Sequence, residues 1–122
     1  MKRVLIIDDD DQFREMLRFM VERAGYEVEE AEDGEIGIEL QQQSPFDLII
    51  TDIIMPNKEG IGTIVELKND YPELKIIAIS GGGRVVPNDY LDIAEKLGAH
   101  RTLSKPFERK ELIQTIEELI GK

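Results

Sequence analysis

Short apolar runs alternate with stretches of helical period along this chain. Val4–Ile7 is an unbroken apolar run with the length of a buried strand. Phe13, Met16, Leu17, Met20, Val21 and Ala24 then follow the i, i+3, i+4, i+7 spacing of an amphipathic helix, and Gly25 is placed to cap it. Glu27–Ala31 is a weaker strand pattern. Asp33-Gly34 turns the chain into a helix carrying Ile36 and Leu40, which ends near Pro45. Asp47–Thr51 predicts a strand around Leu48, Ile49 and Ile50. Gly60 to about Asn69 predicts a helix with Ile61, Ile64 and Val65 turned inward. Lys75–Ile79 predicts a fourth strand, and Asn88–Leu97 a fourth helix carrying Leu91, Ala94 and Leu97, stopped by Gly98. Arg101–Ser104 is a short fifth strand. The last helix carries Leu112, Ile113, Ile116, Leu119 and Ile120.

Five strand–helix units in succession predict an α/β fold with a parallel sheet and helices on both faces. Right-handed crossovers leave few topologies. In a doubly wound sheet the site lies outside the carboxyl ends of the strands. No internal repeat, low-complexity run or Pro/Gly/Ser-rich linker divides the chain, so residues 1–122 are expected to form one domain.

Composition narrows the function. There is no cysteine, which excludes a disulfide framework, a thiolate metal site and a cysteine nucleophile, and which suits a reducing cytosol. Fifteen basic against 26 acidic side chains give a net charge of −11. Such a chain is repelled by nucleic-acid phosphates and anionic membranes, so basic partner surfaces or bound cations are expected instead. Lys2 and Arg3 resemble a basic leader, but only Val4–Ile7 separates them from Asp8, and no run approaches the ~18 apolar residues of a membrane span. A cytoplasmic protein is therefore expected. Neither a G-x-G-x-x-G nor a Walker pattern occurs, which argues against nucleotide binding.

The strand ends carry the candidate chemistry. The first ends at Asp8 and Asp9, the third at Asp52, the fourth at Ser80, and the fifth at Ser104-Lys105-Pro106. Each has a purely structural reading. The acidic run Asp8–Asp11 suits a helix cap, Asp52 a turn before Pro56, Ser80 a glycine loop, and Lys105 a solvated surface. Together they suit one reaction. Clustered carboxylates repel unless a cation sits among them. Oxygen ligands in an incomplete protein set suit Mg²⁺, which retains water and accepts phosphate oxygens. A carboxylate can accept a phosphoryl group, and that transfer needs mainly positioning and charge neutralisation.

The segments Val4-Leu-Ile-Ile-Asp8-Asp9-Asp10, Asp52-Ile-Ile-Met-Pro56 and Ser104-Lys105-Pro106-Phe107 resemble the signatures of response-regulator receiver domains, in order and over the whole chain. The resemblance implies a flavodoxin-like three-layer sandwich with strand order 2-1-3-4-5 and five helices. It implies a phosphoacceptor at Asp52 that is also a ligand of Mg²⁺ (or Mn²⁺), a direct ligand at Asp9, a more indirect acidic partner at Asp8, and a further ligand in the backbone carbonyl of Ile54. Ser80 and Lys105 match the hydroxyl and ammonium that hold the phosphoryl group, and Lys105-Pro106 the cis peptide beside them. The implied function is a switch in two-component or phosphorelay signalling. The donor is a phosphohistidine on a sensor histidine kinase or a histidine phosphotransfer protein. The output is a changed surface on the fourth helix, fifth strand and fifth helix, read by an effector protein. Such a domain modifies and demodifies itself rather than turning over like a hydrolase, as a monomer or a phosphorylation-linked dimer. A free-standing regulator and the receiver part of a longer protein both fit.

Some positions depart from the family pattern. Thr102 stands where an aromatic switch residue is common, and moves less surface if it swings. His100, two residues earlier, reads as a substitute reporter or as a solvated loop residue. Gly81-Gly82-Gly83 and Arg84-Val85-Val86-Pro87 make a long loop, either a phosphorylation-responsive hinge or a tolerated insertion. Ile54, apolar at the site mouth, is expected to orient attacking water poorly and to lengthen the phosphoryl lifetime. Two other functions compete. Asp8-x-Asp10 resembles the nucleophile and acid of haloacid-dehalogenase-like phosphatases, but no cap domain is evident, and Glu108 and Glu111 fall in a helix rather than forming a downstream acidic pair. A receiver-like binding module that is never phosphorylated is the other, and the complete acid-plus-lysine set argues against it.

Overall fold

A computed structural model of the protein describes residues 1–53, 60–80, 95–96 and 98–121. Five parallel strands, β1 (Arg3–Ile7), β2 (Glu27–Ala31), β3 (Leu48–Asp52), β4 (Lys75–Ser80) and β5 (Arg101–Ser104), form one sheet. Their order is β2-β1-β3-β4-β5, as the resemblance implied. Helices α1 (Asp11–Arg23), α2 (Gly34–Gln43), α3 (Gly60–Asp70) and a C-terminal helix (Arg109–Ile120) flank it. The fourth predicted helix falls largely outside the described residues, as do Ile54 and the Gly81–Pro87 loop.

Side-chain alternation along the strands builds two cores, one on each face. Leu5, Ile7, Ile49, Ile76 and Ala78 pack with Ile38 of α2 and with Ile64 and Leu67 of α3. Val4, Ile6, Leu48, Ile50, Ile77 and Ile79 pack with Leu17 and Val21 of α1 and with Leu112 and Ile116 of the C-terminal helix. The central strands therefore carry unbroken apolar runs, with polar residues only at their ends, because both faces are covered. β2 lies at the edge and alternates exposed and buried residues, which explains its weaker sequence pattern.

The helix ends follow their local chemistry. The Asp10 side chain accepts hydrogen bonds from the backbone N–H groups of Gln12 and Phe13 and so caps α1. At the other end the Gly25 N–H donates to Glu22 O and the Tyr26 N–H to Val21 O, with Gly25 at φ 100°. This is the Schellman closure, which favours glycine at that position.

Four positions differ from the periodicity. Met16 and Val65 are exposed, and the α3 face buries Thr63, Ile64 and Leu67 instead. In α2 the most buried positions are Gly34, Gly37, Ile38 and Gln41, with Ile36 and Leu40 only packed at the margin. Gly37 lies so close to β1 that an added Cβ would sit 2.4 Å from Ile7 Cδ1. An apolar-only reading misses a face built on absent side chains.

Candidate functional site

The sheet brings the polar strand ends to one edge. β1 and β3 are neighbours, with Ile7 beside Thr51, so the residues that follow them, Asp8 and Asp52, emerge together. Asp8 is fixed by its backbone: its N–H donates to Ala31 O at 3.1 Å, and its carbonyl accepts from Arg14 Nη1 at 2.7 Å. Asp8 and Asp52 are buried and Asp9 is half-buried. One carboxylate oxygen from each of the three lies within 4.8 Å of the others.

Lys105 reaches into this cluster from the end of β5. Its backbone N–H donates to Ser80 O at 2.7 Å, joining the ends of β4 and β5. Its Nζ lies 3.6 Å from Asp8 Oδ2 and 3.6 Å from Asp52 Oδ2. The Lys105–Pro106 bond is cis. Ser80 is buried at the same edge, in register with Ser104.

Electrostatics set the cluster apart. Burial pushes the Asp8 carboxyl up to about 6, opposed by the hydrogen bond from the Asp10 N–H and by Lys105, and assisted by the Asp52 and Asp9 charges. Its Oδ1 accepts from Asp10 N at 2.9 Å, while Oδ2 is buried and accepts no hydrogen bond among the described residues. A buried carboxylate oxygen without a donor, facing two further carboxylates, is the arrangement a hard cation satisfies.

The acidic run thus divides its labour. Asp10 is a helix cap and Asp11 pairs with Arg14, so only Asp8 and Asp9 join Asp52. Asp10 therefore does not stand as the second acid of a phosphatase pair. Thr102 is half-buried and its hydroxyl lies 3.4 Å from Glu95 Oε1. His100 is far from the site: it precedes β5, at the amino edge of the sheet, where its N–H donates to Ile76 O and its Nδ1 accepts from Ile76 N. Burial lowers its pKa, helped by Lys68, Lys75 and Arg101. It extends the ladder rather than reporting on the strand ends. One participant was not legible in the sequence. Phe13, read there as one of a helical stripe, has its ring centroid 3.9 Å from Lys105 Nζ.

The response regulator receiver domain family matches residues 4–117 of this sequence. The chain belongs to that family. Receiver domains are the phosphoacceptors of two-component signalling, and they are self-phosphorylating, autodephosphorylating switches rather than ordinary turnover enzymes. The chain is 36% identical over 120 residues to the response regulator receiver protein CpdR of Brucella abortus, covering 98% of each. It is 37% identical over 116 residues to the response regulator GtcR of Aneurinibacillus migulanus, covering 95% of this chain but 46% of that protein. It thus spans nearly all of one relative and about half of another. The receiver domain protein of Clostridium thermocellum has a similar structure, with a TM-score of 0.91 at 28% identity over 99% of this chain and 95% of that one. No helix among the described residues of this receiver domain is long and apolar enough to cross a membrane.

Proposed function

We propose that Asp52 is the phosphoacceptor of this receiver domain, with Asp8 and Asp9 holding Mg²⁺ (or Mn²⁺) beside it. The observation that carries this reading is the position of Lys105 Nζ, equidistant from Asp8 and Asp52 within a three-carboxylate cluster. Residues 1–122 act as one receiver domain in the cytoplasm. The phosphoryl donor is a phosphohistidine on a sensor kinase or phosphotransfer protein. The bond from phosphorus to the imidazole nitrogen breaks, its electron pair staying on nitrogen, as an Asp52 oxygen bonds to phosphorus. When bound, the divalent ion supplies charge neutralisation for the phosphoryl oxygens.

The residues of the chain supply the rest. Asp52 sits at the end of a central strand that both cores hold rigid, so its carboxylate is presented in a fixed direction. From its place between Asp8 and Asp52, the Lys105 ammonium meets the incoming phosphoryl oxygens, and the Ser80 hydroxyl turns toward them. Because Lys105 N–H is bonded to Ser80 O, movement at one residue is felt at the other. Ser80 and Thr102 together form the switch that passes this change to the effector-binding face around β5 and the C-terminal helix. The protein acts as a monomer or dimerises when phosphorylated.

Intact-mass analysis after incubation with acetyl phosphate and Mg²⁺ tests the assignment. The native chain should gain one phosphoryl group. Asp52→Asn, or omission of Mg²⁺, should abolish the gain. An undiminished gain in Asp52→Asn would place the acceptor elsewhere. No gain in the native chain from acetyl phosphate or from a phosphorylated kinase would favour the unphosphorylated binding module.

A further inference from the structure

We propose that Phe13 is a positioning residue for Lys105, its ring face seating the ammonium between Asp8 and Asp52. The inference rests on the role given to Lys105 above. A lysine head sits on a flexible four-carbon stem and does not hold one geometry unaided. Here the stem is anchored at its base, where Lys105 N–H meets Ser80 O. At its tip, both carboxylate oxygens are 3.6 Å from Nζ, longer than a charge-assisted hydrogen bond. They attract the ammonium without fixing its direction. The missing wall is the Phe13 ring, with its centroid 3.9 Å from Nζ, where the negative face of the π system attracts a cation.

The ring is itself held from two sides. The Phe13 N–H is bonded to the Asp10 carboxylate in the cap of α1, so the acidic run that supplies Asp8 and Asp9 also sets this ring. From the other side Phe107, two residues after Lys105, meets it edge to face, with centroids 6.0 Å apart and planes at 83°. The segment carrying the lysine thus wraps round the ring that seats it. Arg3 over Phe46 and Arg23 over Phe19 are the other such pairs among the described residues; their cations lie farther from the ring, at 4.3 and 5.5 Å, and outside the carboxylate cluster. Membership of an apolar helix face explains why Phe13 is half-buried, but not why its face is turned to the Lys105 ammonium.

The test compares Phe13→Leu, Phe13→Tyr and Lys105→Ala with the native chain. Two quantities are read: the rate of acetyl-phosphate-driven phosphorylation by intact mass, and the Lys105 ε-methylene proton shift by NMR. The native ε protons should lie upfield from ring current. Phe13→Leu should lose that displacement and slow phosphorylation by about 3- to 30-fold, the range of a partly desolvated cation–π contact. Phe13→Tyr keeps a ring and should restore both, with thermal unfolding confirming that each variant is folded. Unshifted ε protons in the native chain, a native rate in Phe13→Leu, or a Phe13→Tyr no better than Phe13→Leu would overturn the proposal. A native rate in Lys105→Ala would instead overturn the reading of Lys105 on which it depends.

Discussion

Asp8 carries an electrostatic cost that comes chiefly from its burial. Its carboxyl is held near 6 in the fold, chiefly by burial, against 3.8 as the ordinary value. A carboxyl pKa raised on folding contributes stability that is complete below about pH 4 and lost as pH rises through about 6. At pH 7 the metal-free protein therefore folds against a buried charge. Asp8→Asn keeps an oxygen to accept from Asp10 N–H and removes that charge. In chelator, it should raise the unfolding free energy at pH 7 by on the order of 2 kcal/mol, with the gap closing toward pH 4. Denaturant unfolding at both pH values checks this. Saturating Mg²⁺ should stabilise the native chain more than the variant, because a ligand stabilises only the form that binds it. The cluster was legible because a parallel sheet collects its strand ends, and Asp8, Asp9, Asp52, Ser80 and Lys105 all stand at such ends. The separation of Asp10 from Asp8 and Asp9 was not, since four consecutive aspartates look alike until a helix takes one as its cap. Phe13 was hidden too: a 3.6-residue period tells which side of a helix is apolar, not which atom its ring faces.

At the scale of elements, the glycines of α2 and α3 behave in opposite ways. An alanine at Gly34 would place its Cβ 2.0 Å from Thr63 Oγ1, in a fully buried contact between the two helices. Gly34→Ala should destabilise by about 1–3 kcal/mol, even though alanine is the better helix former. Gly62 is exposed and has nothing within 4 Å of an added Cβ, so Gly62→Ala should stabilise by about 0.5–1 kcal/mol. Thermal unfolding of the pair gives both signs. Two alanines with the same outcome would mean that the α2–α3 approach is looser than described. The strands were legible within one or two residues, because runs such as Val4–Ile7 have few other uses. The inward faces of α2 and α3 were not. There the closest approach is made by Gly34, Gly37 and Thr63, while apolar Val65 points outward. Hydrophobic periodicity sees bulk, and these helices pack through its absence.

The whole molecule carries a net charge of −11, far from balance for 122 residues. Self-repulsion of this kind opposes the compact state and is relieved by screening. The thermal midpoint should therefore rise when NaCl is increased from about 0.01 M to about 0.5 M in chelator, where one Debye length shrinks well below the domain's size. A midpoint that falls would show that attractive pairs such as Glu30 with Arg14 and Arg18 outweigh the general excess. The sheet's existence was legible from alternation, but its strand order was not. Nothing in a run of valines and isoleucines tells which neighbour it pairs with, and the order came from family resemblance. That order also bears on folding. Every neighbouring pair is parallel, so no two adjacent strands are joined by a hairpin. Pairings so distant along the chain form late and together, because loop closure precedes their reward. A partly folded chain can present Asp8 and Asp9 yet lack Asp52 and Lys105 at their side. On the roles proposed for these residues, acceptance of a phosphoryl group is an assay of completed folding: a molecule that has not closed its crossovers stays silent to a phosphoryl donor.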